Sequence, residues 1–152
     1  MFNFKIATKA FDAAGIDFLI NVPATGMSPI YQFYSDRSAC LYSSREEEAI
    51  AIASGISIGG KLPLVLVQQS GVGNMLNAYI GIADGYGIYF PILVLDRGKD
   101  DENPIQAHSS FRTIPIIKTF GAPCYLDFKG EESISRFSSE IAKETRWFLS
   151  KY

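Results

Sequence analysis

Metal-binding and redox residues are scarce in this chain: one histidine, His108, and two cysteines, Cys40 and Cys124, in 152 residues. The cysteines stand far apart without a CxxC pair, so no zinc site of familiar spacing can be assembled. Both read as small buried hydrophobes in a reducing compartment. A basic surplus is lacking too, since the net charge is -2, which leaves no electrostatic footprint for nucleic acid. No uncharged apolar run reaches the roughly 20 residues of a membrane span. The opening Met1-Phe2-Asn3-Phe4-Lys5-Ile6-Ala7 has no basic region followed by an apolar one. Repeats, low-complexity segments and internal linkers are missing as well. The expectation is a soluble cytoplasmic protein with no nucleic-acid or membrane partner.

What is present is apolar. With 47% hydrophobic residues, the length suits a single domain over 1–152 with a proper core. Phe4, Ala7, Phe11 and Ala14 recur at helical spacing and stop at Gly15. A strand over 17–22 ends at Pro23, and Ser28-Pro29 opens a helix through Tyr34. A short strand over 39–42 precedes a helix over 45–58. Leu64-Val65-Leu66-Val67 and Pro91-Ile92-Leu93-Val94-Leu95 are uninterrupted apolar runs, as expected of parallel strands covered on both faces. Between them lies a helix carrying Met75, Leu76, Ala78, Tyr79 and Ile82. A polar loop from Asp96 to Ser109, a helix over 110–119, a strand over 123–126 and a closing helix over 133–149 complete the reading. Trp147 and Phe148 in that helix, with Tyr152 in the tail, read as core or subunit contacts. This alternation predicts an α/β fold, a three-layer, doubly wound, mostly parallel sheet. Functional residues then gather at the carboxyl ends of strands, in the loops 23–27, 68–74 and 96–109.

The most informative stretch is Arg45-Glu46-Glu47-Glu48-Ala49-Ile50-Ala51-Ile52-Ala53-Ser54-Gly55. In a helix, Glu46 shares a stripe with Ala49, Ile50 and Ala53. One carboxylate therefore points where the apolar face points, and a carboxylate withdrawn from water gains a proton more readily. A structural reading stands beside it. Ser43 with Glu46, and Ser44 with Glu47, both satisfy the Ser-x-x-Glu capping box, and acidic side chains in a first turn favour the helix dipole.

Gln68-Gln69-Ser70-Gly71-Val72-Gly73-Asn74 is a glycine-rich turn into a helix, either a tight packing turn or a place for an anionic group. It is no P-loop, because no Gly-Lys-Ser/Thr follows, and Leu76 occupies the third glycine's place of a dinucleotide fingerprint. Nor is it a nucleophile elbow, since Gln68 stands where glycine is needed. His108 shares its region with Arg97, Lys99 and Arg112, which can pair with an anionic substrate tail. Asp96, Asp100, Asp101 and Glu102 can equally neutralise them. A stand-alone flavodoxin-like module that binds a nucleotide or phosphate at Gly71 to Asn74 is the rival reading.

Taken together, Asn21-Val22-Pro23, the Arg45 to Gly55 segment, Gln69-Ser70-Gly71-Val72-Gly73-Asn74 and Asp101-Glu102-Asn103-Pro104-x-Gln106-x-His108 resemble the pyrimidine-binding domain of thiamine-diphosphate enzymes. The likeness is greatest to the alpha subunit of sulfopyruvate decarboxylase and the corresponding part of phosphonopyruvate decarboxylase. The resemblance implies that Glu46, nine residues before Gly55, is the catalytic glutamate, hydrogen-bonded to the aminopyrimidine ring and promoting its imino tautomer. It further implies that Thr25, Ser70, Gly71, Gly73 and Asn74 lie near the thiamine diphosphate. By the same resemblance, Gln69 and Gln106 meet the 2-oxo acid substrate and His108 assists catalysis, while Arg97 joins the substrate set as one of the loop's cations. The Gly-Asp-Gly motif and downstream asparagine that hold Mg2+ and the diphosphate in such enzymes have no counterpart here beyond Ala83-Asp84-Gly85. The resemblance therefore implies a beta subunit that supplies them, in a hetero-oligomer.

Overall fold

The computed structural model of the chain describes residues 2–24, 27–35 and 39–151. Helix α1 (Phe4–Ala13) begins where the Asn3 side chain accepts hydrogen bonds from the backbone N–H groups of Lys5 and Ile6. It ends two residues before Gly15, whose φ of 74° reverses the chain at little cost only for glycine. There follow β1 (Phe18–Asn21), α2 (Ser28–Ser35), β2 (Cys40–Tyr42), α3 (Glu46–Ile58) and β3 (Pro63–Gln68). A 3-10 turn, Gln69–Gly71, leads into α4 (Val72–Ala78), which continues as a π-helical turn, Tyr79–Asp84. The chain continues through β4 (Ile92–Asp96), α5 (Pro104–Lys118), β5 (Cys124–Tyr125), α6 (Glu132–Ala142) and β6 (Trp147–Lys151).

The strands form one sheet in the order β2-β1-β3-β4-β6-β5, and every neighbouring pair is parallel. Side-chain alternation divides the apolar runs between two faces. Leu64, Leu66, Leu93 and Leu95 pack with Phe11, Tyr34 and Phe137 under α1, α2 and α6. Val65, Val67, Ile92 and Val94 pack with Ile50, Met75, Tyr79 and Ile117 under α3, α4 and α5. The doubly wound, three-layer architecture is therefore present, with both faces covered. Free Cys40 and Cys124 are half-buried, and burial raises the pKa of both thiols.

Two boundaries differ from the sequence reading. The segment 133–149 is a helix only to Ala142, and Trp147-Phe148-Leu149 is strand. Glu144, at φ 58°, turns the chain, and β6 then inserts between β4 and the edge strand β5. Phe148 enters one core, with its ring centroid 4.8 Å from that of Phe137. Trp147 enters the other, where its indole N–H donates to the Tyr79 hydroxyl at 3.2 Å. Their reading as core residues holds, in a different element; Tyr152 lies outside the described residues. The polar loop after β4 is also shorter than expected. Asn103 caps α5 by accepting from Ile105 N at 3.0 Å, and Pro104 opens the helix. Gln106 and His108 are therefore helical rather than in the loop.

Phe148 is fully buried, whereas Ile58 is 73% exposed. Phe148→Ala is expected to cost about 3–5 kcal/mol of unfolding free energy, and Ile58→Ala no more than about 0.5 kcal/mol. Urea denaturation compares them, and equal costs contradict this placement of β6.

Candidate functional site

Helix α3 starts differently from a capping box. Arg45 is the N-cap, and its side chain makes no capping bond, pairing instead with Glu47 at 3.4 Å. The Ser43 hydroxyl instead donates to the Asn21 carbonyl at 3.3 Å. Ser44 N–H donates to Glu48 Oε2 at 2.7 Å. Neither Ser43–Glu46 nor Ser44–Glu47 closes, because Glu48, one residue further on, satisfies the orphan donor. That arrangement releases Glu46 from capping.

Ala49, Ile50 and Ala53 are buried, so the stripe expected from the sequence exists, and it swings the half-buried Glu46 toward the turn after β3. There Glu46 Oε2 accepts from the Asn74 side-chain amide at 3.0 Å. Its carboxyl group lies against Gly71, where a Cβ would collide with it. Glycine is required at 71 for that close approach. Glu46 and Asn74, with Ser44, Arg45 and Glu47, line a groove of about 320 Å³. A carboxylate on the glycine turn also opposes the rival reading, since a phosphate bound there would meet a like charge.

A second set gathers beside this turn. Gln68 Nε2 and Gln69 Nε2 both donate to Gln106 Oε1, at 2.6 and 2.9 Å. Gln69 Oε1 accepts from Arg97 N at 3.3 Å, and the Gln69 carbonyl accepts from the Thr113 hydroxyl at 2.9 Å. Two donors on Gln106 Oε1 fix its amide orientation and leave Nε2 as the free end. Gln68 is the residue the sequence reading passed over; its place at the last position of β3 was the available signal. The Arg97 guanidinium pairs with Asp101 at 2.8 Å.

The structure thus brings Glu46, Gly71 and Asn74 together, and separately Gln69, Gln106 and the Arg97 backbone. Ser70 is exposed on the turn, Gly73 at the start of α4 and His108 on α5. Thr25 lies outside the described residues. The start of its loop is held by Tyr31, whose hydroxyl donates to Val22 O at 3.4 Å and accepts from Ala24 N at 3.4 Å. Burial pushes the Tyr31 phenol up to about 12, so it stays protonated near neutral pH. Asp84 of Ala83-Asp84-Gly85 is exposed at the end of the π-helical turn. Among the described residues no three acidic, histidine or cysteine side chains cluster to hold a metal.

No family model matches the sequence. The chain is 32% identical over 91 residues to the protein named sulfopyruvate decarboxylase subunit alpha of Methanothermobacter thermautotrophicus, covering 59% of this chain and 55% of that one. It matches the protein of the same name from Methanococcus maripaludis at 32% over 92 residues, with coverage of 59% and 55%. The phosphonopyruvate decarboxylase of Streptomyces hygroscopicus is 31% identical over 96 residues, 62% of this chain and 24% of that one. The match therefore spans about half the length of the alpha-subunit relatives, 55% in each case. Among solved structures, a 2-oxoglutarate:ferredoxin oxidoreductase from Magnetococcus marinus, with 2-oxoglutarate, coenzyme A and succinyl-CoA bound, superposes at a TM-score of 0.64 and 13% identity. It covers 99% of this chain and 28% of that one. These similarities bear out the resemblance drawn from the motifs, and the structural match bears out the fold.

Gly71→Ala is expected to displace the Glu46 carboxylate with little effect on the fold, moving Tm by less than about 5 °C. The Asn74 side-chain amide resonances should then shift toward those of Glu46→Ala. Wild-type resonances in the Gly71→Ala protein contradict the contact.

Proposed function

We propose that this chain is the alpha subunit of a cytoplasmic, two-chain thiamine-diphosphate-dependent 2-oxo acid decarboxylase. Its substrate is 3-sulfopyruvate or 3-phosphonopyruvate, and its products are the aldehyde and carbon dioxide. The observation that carries the reading is Glu46, brought by an otherwise apolar helix onto Gly71 and hydrogen-bonded to Asn74. The names of the relatives support the same reaction. Among the described residues no helix is long and apolar enough to cross a membrane.

The residues present fit the pyrimidine end of this cofactor. A half-buried carboxylate stands at a groove, and the bare backbone of Gly71 leaves room for it. When bound, thiamine diphosphate supplies the electron sink that loss of carbon dioxide requires. Glu46 holds and returns the proton. Its Oε2 accepts from Asn74 and its Oε1 lies against Gly71, an orientation from which the carboxyl group exchanges the proton. Ser70 and Gly73 stand exposed beside it, and the resemblance alone assigns Thr25 to the cofactor. Gln106, oriented by Gln68 and Gln69, presents Nε2 to a substrate oxygen, with Gln69 and Arg97 behind it. His108, exposed on α5, reaches the reacting centre only when the second chain is in place. That beta subunit holds Mg2+ and the diphosphate.

Glu46→Gln, assembled with the partner chain, thiamine diphosphate and Mg2+, is expected to lower aldehyde formation by about 100-fold or more. Co-purification with the partner and Tm should be unchanged. Turnover near that of the wild type sinks the mechanism.

A further inference from the structure

A second cavity, of about 380 Å³, opens where β4, β5 and β6 end, and it shares no residue with the Glu46 groove. Topology accounts for its position. After β4 the chain leaves into α5, whose Ile117 packs on the Trp147 face of the sheet. After β5 it leaves into α6, whose Phe137 and Ile141 pack on the opposite face. Strand β6 lies between β4 and β5, so the two exits diverge above its end and leave a crevice. A reversal of this kind at the carboxyl edge of a parallel sheet is where ligands bind in doubly wound folds.

The lining points to a ligand. Ile114, Leu126 and Leu149 give it an apolar floor. Ser150 is 1% exposed, and its hydroxyl has no hydrogen-bond partner, an uncommon and unfavourable state for a buried polar group. Asp96 is 6% exposed, and its Oδ1 accepts from Gly98 N–H at 3.0 Å. Lys151 stands opposite Asp96 in the β4–β6 register, yet among the described residues no ion pair joins them, and Arg136 makes none either. Two further carboxylates line the cavity. Asp127 is engaged by Lys129 at 3.0 Å and also by the backbone N–H and charge of Lys151, and the carboxyl of Glu132 lies against Gly130. The cavity therefore presents a buried carboxylate over an apolar floor, with two exposed cations at its rim, Lys151 beside Asp127 and Arg136 near Cys124 and Glu140. That pattern suits a molecule carrying both charges, whereas a plain anion would meet Asp96 and a plain cation would meet Arg136 and Lys151.

We propose that this crevice binds a free amino acid with an apolar side chain, its carboxylate on Arg136 and Lys151 and its ammonium on Asp96. The side chain lies on Ile114 and Leu149. The site stands independently of the Glu46 reading.

Calorimetric titration of the full chain with glycine, alanine, leucine, methionine and phenylalanine tests it. At least one apolar amino acid should bind with Kd of about 1 mM or tighter. Its analogues lacking the ammonium or the carboxylate should bind about tenfold more weakly or worse. Asp96→Asn and Arg136→Gln should each weaken binding by a similar factor, while Glu46→Ala leaves it unchanged. Should Asp96→Asn not fold, the analogue comparison on wild-type protein and the Lys151→Gln variant, also expected to bind more weakly, decide the matter. Absence of heat from all five amino acids at roughly 10 mM, or equal binding of the deaminated analogue or inorganic phosphate, overturns the proposal.

Discussion

The carboxylate of Glu46 lies on Gly71 and accepts a hydrogen bond from Asn74, and the arrangement of this half of the molecule follows from that contact. It ties the first turn of α3 to the turn that joins β3 to α4. Those elements cover the same face of the sheet, over the Ile50–Met75–Tyr79 core. A carboxylate can sit there only because three conditions hold together. The stripe below it is apolar, position 71 has no side chain, and Glu48 rather than Glu46 satisfies the free N–H group before the helix.

The sheet sets the stage by leaving its carboxyl edge free while both faces are filled. Paired Val and Leu runs in β3 and β4 place one side chain in each core at every step, so the strands are fixed in register by burial on both sides. Their ends present Gln68, Gln69 and Asp96 at one edge. Gln69 is the bridge between the turn that meets Glu46 and the start of the β4 loop, through Gln106 and the Arg97 backbone. The same edge holds two chemically different hollows, a groove beside an acid and a glycine turn and a crevice of mixed charge over an apolar floor.

Much of this was legible in the amino-acid order. The apolar runs at 64–67 and 91–95 announce buried parallel strands, and the Glu46, Ala49, Ile50, Ala53 spacing announces an acid on a buried stripe. What was not legible depends on contacts far along the chain. Trp147-Phe148-Leu149 follows an amphipathic helix closely enough to extend its pattern, and only pairing with Ile92, Leu93 and Val94 makes it a strand. The start of α5 was written locally in Asn103-Pro104, but charged neighbours made it read as loop. The three-glutamine contact joins residues 38 apart in sequence, which no local pattern encodes.

The central claim is that this chain supplies the proton-handling half of a decarboxylase and depends on a second chain for the rest. The most direct test is mild purification of the chain from its own cells, followed by assay of what co-purifies with thiamine diphosphate, Mg2+ and 3-sulfopyruvate or 3-phosphonopyruvate. The account predicts a partner that carries a Gly-Asp-Gly motif and aldehyde formation from one of the two acids. A solitary chain that turns over neither acid contradicts it.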